Sequence, residues 1–374
     1  MNTTAFELYN KISAYDSLVS KEEIYKAYNI SKKAHANQFR GSGEEYFTHP
    51  LAVADYLINM KLDSSTIITA LLHDVVEDSE FTLENIKEEF GDEISKLVDG
   101  VTKLSKLDIR FGFAQAENFR KLFLASSDDI RVLLVKLADR LHNIRTIEGI
   151  QNDEKKSRIC FETLEIFAPL AERLGINAIQ RELEDRCFAV IKPETRDSIL
   201  KRLKLIYSKD ELNIPFITKE IVEFLKKNNI NCTITGRVKS SYSIWKKMQF
   251  KNLSMDQLSD IMAFRVIVDD IPSCYKTLGL LHQQYTAIMG RFKDYISAPK
   301  RNGYQSLHTS LIGPKKRKIE IQIRTEEMNE YAENGVAAHW VYKNGSKYKE
   351  GIKYKWVREL LQIIEDSSNP EEFL

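Results

Sequence analysis

The spacing of apolar residues divides the chain into two regions. Up to about residue 195, apolar residues recur at every third and fourth position and strand-like alternation is absent, which predicts helices. Beyond that point, a helical stripe over 217–229 runs into an alternating segment that Gly236 breaks. Segments 263–270 and 318–325 alternate as strands do. This order of helices and strands predicts an α/β or α+β second region on a mixed or antiparallel sheet.

We therefore predict two domains. Residues 1–195 form an all-α domain with connecting helices, and residues 196–374 form an α+β domain that has a mixed sheet and a C-terminal helix. No linker rich in Gly and Ser marks the boundary between them. A chain of 374 residues, 43% of them hydrophobic, is ample for two cores and too long for one.

Charge and cysteine usage narrow the functional classes. The chain has 55 basic and 54 acidic residues and a net charge of +1, which argues against a general nucleic-acid or membrane-surface protein. Its four cysteines form no CxxC pair and read as reduced thiols. The first residues lack the pattern of a signal peptide, and no apolar run approaches the length of a membrane span. We expect a soluble cytoplasmic protein.

Residues 73–78, HDVVED, carry the most specific chemistry of the first region. The flanking pattern predicts a helix, in which residues four apart share a face, so His73 would lie below Glu77 and Asp74 below Asp78. Metal ligands at one level, with acid/base groups above them, suit hydrolysis by a water that a metal ion activates. Taken alone, the same six residues also fit an ordinary charged helix surface.

A metal ion needs three or four protein ligands, and one helix cannot surround it. His49, just before Pro50 at a predicted helix start, and Asp139, in an apolar helix, complete a set with His73 and Asp74. Two imidazoles and two carboxylates favour manganese or iron over a structural zinc ion.

Two polar residues extend this candidate site. Asn143 and Thr146 follow Asp139 along one face of an otherwise apolar helix. A single buried polar residue is usually satisfied within the core, whereas three in register predict the wall of a pocket.

The strand predicted at 318–325, KIEIQIRT, separates an apolar face from a polar one. Glu320, Gln322 and Arg324 point together, either to solvent or to the floor of an active site. Cations and rings elsewhere in this region favour a site for a nucleotide and its phosphates, although each Lys or Arg alone also fits a solvated surface charge. These residues are Arg237, Lys239, Ser243 and Lys247 in segment 236–248, and Lys293, Lys300, Tyr304 and His308 in segment 290–310.

The chain contains no GxxxxGKS or GxxxxGKT segment, which excludes a P-loop as the means of binding ATP. A nucleoside triphosphate would then need acidic residues to hold magnesium and scattered cations to hold its phosphates. Asp260 and Glu320 are the candidate magnesium ligands.

Motifs from both regions resemble one family. YFTHPLAVA, HDVVEDS and KLADRLHNIRT in the first region, and YSIWKKM, GRFKDYI, YQSLHTS and IEIQIRT in the second, resemble the catalytic half of the long RelA/SpoT homologues. These enzymes make and degrade the alarmone (p)ppGpp. The resemblance runs from about residue 20 to the C-terminus. It implies an HD-type hydrolase domain followed by a nucleotidyltransferase-like synthetase domain.

The resemblance also implies roles for residues of the first region. It places a manganese ion on His49, His73, Asp74 and Asp139. It makes Glu77 and Asp78 the acidic pair that activates water, and it makes Arg40, Asn143 and Thr146 the substrate contacts.

In the second region the resemblance implies magnesium on Asp260 and Glu320 and a guanine-stacking ring at Tyr304, with Asn302 and His308 beside it. The implied phosphate-binding cations are Arg237, Lys239, Lys247, Lys293 and Lys300.

Three positions depart from the family pattern. Gly41 stands where the family usually has Lys, so a cation is missing, and Gly41→Lys is the reversion to try first. Ser240 stands where a histidine is frequent, and the loop at 315–318 is one residue longer. The basic motif RFKD at 291–294 is the form that accompanies members with both activities.

The resemblance therefore implies a bifunctional enzyme. It would hydrolyse the 3′-diphosphate of (p)ppGpp with Mn²⁺, and with Mg²⁺ it would transfer a diphosphate from ATP to the 3′-hydroxyl of GDP or GTP. Direct nucleic-acid or membrane binding is not expected, and ribosome association would need regulatory domains beyond these residues. Two alternatives stay open: a synthetase with an inactive HD scaffold, to which Gly41 points, and a nucleotide sensor without turnover.

Overall fold

The computed structural model describes residues 3–106, 129–207, 214–252, 254–255, 261–300 and 302–335. Within them the chain forms two compact units, one that extends to Cys187 and one that runs from Phe188 to Gly335. The domain limits at residues 195 and 196 stay a prediction, and the predicted C-terminal helix lies outside the described residues. In the described ranges, no helix is both long and apolar enough to cross a bilayer.

The first unit is helical, as predicted, with an isolated bridge between Phe39 and Glu45 as its β feature among the described residues. A 3₁₀ turn at Ile147–Gly149 and a π-helical turn at Thr163–Phe167 join helices. The helices are α1 (Ala5–Ser13), α2 (Lys21–Ala34), α3 (Thr48–Asn59), α4 (Ser64–Leu72), α5 (Val75–Asp78), α6 (Leu83–Ser105), α7 (Arg131–Arg145), α8 (Asp153–Glu162), α9 (Ala168–Arg173) and α10 (Asn177–Ile191), within which the second unit begins.

Helix α4 lies at the centre of the first unit. Asp63 caps its first turn, where its Oδ1 accepts a hydrogen bond of 2.8 Å from the backbone N–H of Thr66. A cap of this kind satisfies a donor that the helix leaves unpaired and stabilises it by about 0.5–2 kcal/mol. Every residue from Thr66 to Leu72 is buried, and α2, α3, α6 and α7 all contact this helix. The residues that follow Leu72 therefore emerge inside the unit.

The second unit combines helices with a six-stranded sheet in the order β1–β2–β6–β5–β3, with β4 also paired to β5. Among the described strands, β2 and β6 run parallel and the other pairs are antiparallel, which confirms the mixed sheet. The elements are α11 (Pro193–Tyr207), α12 (Ile214–Lys227), β1 (Cys232–Val238), α13 (Ser241–Lys251), β2 (Met262–Val268), α14 (Ile271–Gln284), β3 (Thr286–Ala287), β4 (Lys293–Asp294), β5 (Leu307–Ile312), β6 (Lys318–Thr325) and α15 (Glu326–Asn334).

The two faces of the sheet differ as the alternation of β6 predicts. Helices α12 and α14 cover one face, where Phe264 and Ile321 pack with Ile217 and Leu281 in a common core. The opposite face carries the polar residues of β6, since successive side chains of a strand point to opposite sides. This polar face is the second region in which functional residues gather.

Gly236 does not end the first strand, contrary to our prediction. Strand β1 continues to Val238, and Gly236 pairs with Phe264 of β2. A Cβ atom at Gly236 would lie 2.8 Å from Cε1 of Phe264 and would overlap Ile214. Glycine occupies this position because neighbouring side chains fill the space. As a result, Arg237 belongs to a strand of the sheet.

Candidate metal centre and polar sheet face

The HDVVED segment is not one continuous helix, contrary to our prediction, although Asp74 and Asp78 are still one helical turn apart. Helix α4 ends before His73, and α5 begins after Asp74, which has φ −97° and ψ −7°. The backbone oxygen of Asp74 accepts hydrogen bonds from the N–H groups of Glu77 and Asp78, which start the new helix. Neighbouring side chains of a regular helix diverge by about 100°. His73 and Asp74 stand at this break and approach a common point.

Three of the four predicted metal ligands meet at that point. One ligand atom each from His49, His73 and Asp74 lies within 4.8 Å of the others. The Oδ2 atom of Asp74 is 3.2 Å from Nε2 of His73 and 3.6 Å from Nε2 of His49. Both histidines are buried, with exposed fractions of 2% for His49 and 0% for His73.

Asp139 lies beside this group without being part of it in the described residues. Its Oδ1 atom is 3.2 Å from Nε2 of His49. Its carboxylate also accepts hydrogen bonds from Asn143, at 2.6 Å, and from Lys136, at 2.8 Å. Although burial raises the pKa of Asp139, Lys136 and the histidines outweigh it and hold the value well below normal. The carboxylate is therefore ionised.

The residues present fit a divalent cation. Nδ1 of His73 lies 2.8 Å from the backbone oxygen of Ala70, which can only accept, so Nδ1 carries a proton. Nε2 of His73 is buried without a hydrogen-bond partner and faces the carboxylate of Asp74. Burial lowers the pKa of His73, but Asp74 and Asp139 outweigh it and raise the value to about 9. The site attracts positive charge to a nitrogen that can coordinate a metal.

The predicted acidic pair lies on α5, next to this group. Glu77 and Asp78 are both exposed. Neighbouring atoms partly desolvate the carboxyl group of Glu77 and, together with the charge of Asp74, raise its pKa. A carboxyl group with a raised pKa is a better proton acceptor near neutral pH than an ordinary glutamate.

Arg40 joins the predicted substrate contacts into one wall. Its Nη2 atom donates to Oδ1 of Asn143 at 2.9 Å and to Oγ1 of Thr146 at 3.0 Å. Its Nη1 atom lies 3.0 Å from Nδ1 of His142. Burial lowers the pKa of Arg40. Burial, reinforced by the charges of His49 and Arg40, lowers that of His142 to about 3, so this imidazole is neutral.

Three residues of the site were missed from the sequence. Tyr46 donates its hydroxyl hydrogen to Oδ2 of Asp74 at 3.0 Å. Lys136 and His142 contact ligands of the predicted set and stand three residues before and after Asp139. Residues three apart share a helix face, and this spacing was a signal that could have found both.

Several side chains on the polar face of the sheet lie around Glu320. Oε2 of Glu320 lies 3.0 Å from Nζ of Lys239, and Oε1 lies 3.6 Å from Nδ1 of His308. The hydroxyl of Tyr304 is 2.7 Å from Nε2 of His308. Burial raises the pKa of Glu320, but His308 and Lys239 outweigh it and depress the value strongly. Four predicted residues thus form one chain of contacts around an ionised carboxylate.

Further predicted cations lie on the same face or at its edge. Arg237 and Glu320 belong to one row across the sheet, since both are in register with Ala263 of β2. Lys300 lies 5.2 Å from the ring centroid of Tyr304. Exposed Lys293 pairs in register with His308 on β5.

Two predicted contacts take part in local structure. Ser243, on α13, accepts a hydrogen bond of 3.0 Å from Ser240, whose hydroxyl also caps that helix. Lys247 lies one turn further along α13. The Oδ1 atom of Asn302 accepts from the backbone N–H of Tyr304 at 3.3 Å. The departure at Ser240 therefore supplies a helix cap where a histidine is frequent.

Two arginines of this face were not predicted as binding residues. Arg265 and Arg324 both pair with Glu333 of α15. Arg324 is only 2% exposed and lies 6.0 Å from the ring centroid of Tyr304. Burial lowers its pKa to about 10. Asp260, the other predicted magnesium ligand, lies outside the described residues.

Comparison with known proteins decides the family. Residues 27–177 match the HD domain family, and residues 236–347 match the region found in RelA/SpoT proteins. The protein named GTP pyrophosphokinase rsh from Brucella ovis is 46% identical over 377 residues, which cover 99% of this chain and 50% of that protein. The chain belongs to the RelA/SpoT homologues.

Other relatives of this RelA/SpoT homologue carry a second activity in their names. The Aquifex aeolicus protein named guanosine-3′,5′-bis(diphosphate) 3′-pyrophosphohydrolase is 45% identical, over 94% of this chain and 50% of that protein. The chain thus spans about half the length of the curated relatives it matches. A solved metazoan orthologue of SpoT is 24% identical over 46% of this chain and 96% of that chain, with a TM-score of 0.38.

Gly41 of this RelA/SpoT homologue has a structural role of its own. A Cβ atom at Gly41 would lie 2.7 Å from the backbone oxygen of Gly149, and one at Gly149 would lie 2.9 Å from the backbone nitrogen of Ser42. The segment that follows Arg40 is therefore packed backbone to backbone against the 3₁₀ turn after Thr146. This contact argues against Gly41→Lys as a simple reversion, since the loop has no room for a side chain.

Proposed function

We propose that the chain is a bifunctional alarmone enzyme. The helical unit would hydrolyse the 3′-diphosphate of (p)ppGpp to GDP or GTP and pyrophosphate. The second unit would transfer a diphosphate from ATP to the 3′-hydroxyl of GDP or GTP. The observation that carries this proposal is the convergence of buried His49 and His73 with half-buried Asp74, in a chain that also has the polar sheet face. The names of its relatives, one for each activity, support it.

In the hydrolase site, His49, His73, Asp74 and Asp139 would hold the cation, which we assign to manganese because the donors are imidazole and carboxylate. When bound, a divalent cation supplies Lewis acidity toward the diphosphate and toward water. Glu77, whose pKa is raised, would accept the proton of the attacking water, with Asp78 beside it.

The substrate in that site would lie along the wall that Arg40 forms. The guanidinium of Arg40 is held by Asn143 and Thr146, and its fixed orientation suits an anionic or polar group of the nucleotide. Holding the substrate in one orientation beside the acid/base groups lowers the entropic part of the barrier.

In the synthetase site, Asp260 and Glu320 would hold magnesium. The strongly depressed pKa of Glu320 favours a ligand role over a general-base role, since an ionised carboxylate of this kind is a weak base. Tyr304 would stack on the acceptor guanine, with Asn302 and His308 beside it. The phosphates would lie against Arg237, Lys239, Lys247, Lys293 and Lys300, with Ser243 at the start of α13 nearby.

We infer that these reactions take place in the cytoplasm. The proposed substrates are nucleotides, and Cys160, Cys187, Cys232 and Cys274 are all free thiols.

The proposal is tested by two incubations of the full chain. With ppGpp and Mn²⁺, anion-exchange chromatography should show GDP and pyrophosphate, and a chelator should block both. With ATP, GDP and Mg²⁺, it should show AMP and ppGpp. Synthesis without hydrolysis would replace the proposal with a synthetase on an inactive HD scaffold. Nucleotide binding without either reaction would replace it with a sensor.

A further inference from the structure

His142 contacts a predicted metal ligand through an atom whose proton can be assigned. It lies on α7, one turn beyond Asp139. Its Nδ1 atom is 2.8 Å from Nδ1 of His49 and 3.0 Å from Nη1 of Arg40. Three nitrogen atoms therefore meet, and at least one of them has to accept a hydrogen bond.

The guanidinium of Arg40 decides which nitrogen accepts. A guanidinium only donates, so Nδ1 of His142 presents a lone pair to it, and a protonated Nδ1 would set donor against donor. The same lone pair faces His49, so Nδ1 of His49 carries a hydrogen and donates at 2.8 Å. Nε2 is then the nitrogen of His49 that can coordinate, and a cation bound there displaces any proton that the carboxylate of Asp139 holds on it.

This nitrogen points into the metal group. Nε2 of His49 lies 3.2 Å from Asp139 and 3.6 Å from Asp74. His73 presents its Nε2 in the same way, but its ring is set by the backbone oxygen of Ala70. The orientation of His49 instead depends on a side chain, which substitution can remove.

We propose that His142 is a positioning residue that, held by Arg40, fixes the tautomer of His49 so that Nε2 is available to a divalent cation. This inference deepens the proposed hydrolase site and rests on it. It also gives Arg40 a second role. Arg40 is expected to contact the substrate, and it also orients the ring of His142, which in turn orients the proposed ligand His49. Partners of metal-bound imidazoles typically contribute about 10–100-fold to metal affinity.

The test compares two substitutions of one residue in the full chain. His142→Asn keeps an acceptor oxygen where Nδ1 lies, and His142→Leu removes the acceptor. His282→Leu is the matched control, since His282 lies in the other unit and bonds to Thr309. Titration calorimetry with Mn²⁺ gives the affinity. Spectra of ¹⁵N-histidine-labelled protein without metal, assigned with His49→Gln, give the tautomer of His49.

We expect His142→Leu to weaken Mn²⁺ binding about 10–100-fold and to mix the tautomers of His49. We expect His142→Asn to restore most of the affinity and the Nδ1–H form, and His282→Leu to match the unsubstituted chain. Wild-type affinity in His142→Leu, or equal losses in both folded variants, would overturn the inference. If His142→Leu does not fold, the tautomer of His49 in His142→Asn decides: Nδ1–H supports the inference and a mixture overturns it.

Neither readout needs turnover, so the inference and the proposed function fail separately. An unsubstituted chain that binds Mn²⁺ but leaves ppGpp intact would refute the hydrolase activity and leave the role of His142 standing. A chain that hydrolyses ppGpp while His142→Leu binds Mn²⁺ normally would refute the role of His142 and leave the hydrolase activity standing.

Discussion

The two sites hold their charges in different ways. In the helical unit, uncharged partners orient the buried imidazoles: the backbone oxygen of Ala70 for His73 and the ring of His142 for His49. On the sheet face, Glu320 is only half-buried and already pairs with Lys239. The first arrangement leaves nitrogen atoms for a cation. In the second, Glu320 and Lys239 already pair with each other, so a metal ion would have to share Glu320 with Lys239, and an anionic ligand would have to share Lys239 with Glu320.

This contrast separates a rigid site from an adaptable one. A buried group whose partners are fixed loses little order when it binds an ion, because its geometry already exists. Long cationic side chains at the edge of a sheet must be ordered by their ligand, and salt screens them more strongly than it screens buried groups. Substitutions at the proposed ligands should therefore act on one reaction at a time. Two such substitutions, and two that act on the stability of the helical unit, test the comparison.

The largest effect should come from Asp74→Asn. Loss of this carboxylate removes a proposed ligand and should lower hydrolysis of ppGpp by about a thousandfold, about 4 kcal/mol at 1.36 kcal/mol per tenfold. Synthesis of ppGpp from ATP and GDP should stay unchanged in the same preparation. Asp55→Asn, on the surface of α3 where Asp55 pairs with Lys11, is the control. Normal hydrolysis by Asp74→Asn would remove Asp74 from the site.

The reverse pattern should follow from Glu320→Gln. The neutral amide breaks the ion pair with Lys239 and removes a proposed magnesium ligand, so synthesis should fall by about a hundredfold or more. Hydrolysis, measured on the same protein, should not change. The exposed Glu330→Gln provides a matched change on α15. Parallel loss of both reactions would show that the two sites are not separable.

A smaller effect, on stability, should come from the packing of the Arg40 loop. Gly41→Ala places a Cβ atom 2.7 Å from the backbone oxygen of Gly149, so it should lower the free energy of unfolding by about 1–3 kcal/mol. Gly279→Ala is the control, because nothing lies within 4 Å of its Cβ position on α14. There alanine should stabilise by about 0.5–1 kcal/mol. Calorimetry should show opposite shifts, and equal shifts would contradict the tight contact.

The smallest expected effect is on the stability of the folded chain at neutral and acid pH. Glu182 accepts bidentate hydrogen bonds from Arg145, at 2.7 and 2.6 Å, at the end of α7. Burial raises the pKa of Glu182, but Arg145 and Arg186 outweigh it and lower the value. A carboxyl group with a lowered folded pKa adds stability above its unfolded pKa, near 4.3, and that stability is lost as pH falls through the folded pKa.

Glu182→Gln should therefore reduce stability at neutral pH by about 0.5–1 kcal/mol, after allowance for solvent screening of a partly exposed pair. It should also make the free energy of unfolding fall less steeply as the pH is lowered into the acid range. Denaturant unfolding at several pH values measures both. An unchanged pH dependence in the acid range would mean that the ion pair between Arg145 and Glu182 does not stabilise the end of α7.

The sequence predicted the sheet face better than the metal centre. Segment 318–325 alternates, and β6 has the same bounds, because the period of a strand is a local property. The break at His73 and Asp74 has no local signal, since apolar residues on both sides keep helical spacing. The break is a property of the folded unit, as is the approach of these two side chains to one point.

Partners of the ligands were missed for a similar reason. His142 stands in an apolar helix and is 93 residues from His49, so their contact exists only in three dimensions. Arg265 lies in segment 263–270, which was predicted to be a strand. Its pairing with Glu333 depends on the position of α15 in the folded unit. The motif residues themselves were found because their types and spacing express chemistry, whereas the spacing of His142 from Asp139 puts both on one helix face without showing that His142 contacts His49.

The parallel pairing of β2 and β6 bears on the order in which the two sites can form. Ala263 pairs with Glu320, and β1, which pairs only with β2 in the described sheet, depends on the same central pair. Pairing between strands this far apart in sequence is slow, while contacts among helices are more local. Since domains emerging from the ribosome fold from the N-terminus onward, the ligand group near His73 can assemble while the strand that carries Glu320 is still being translated.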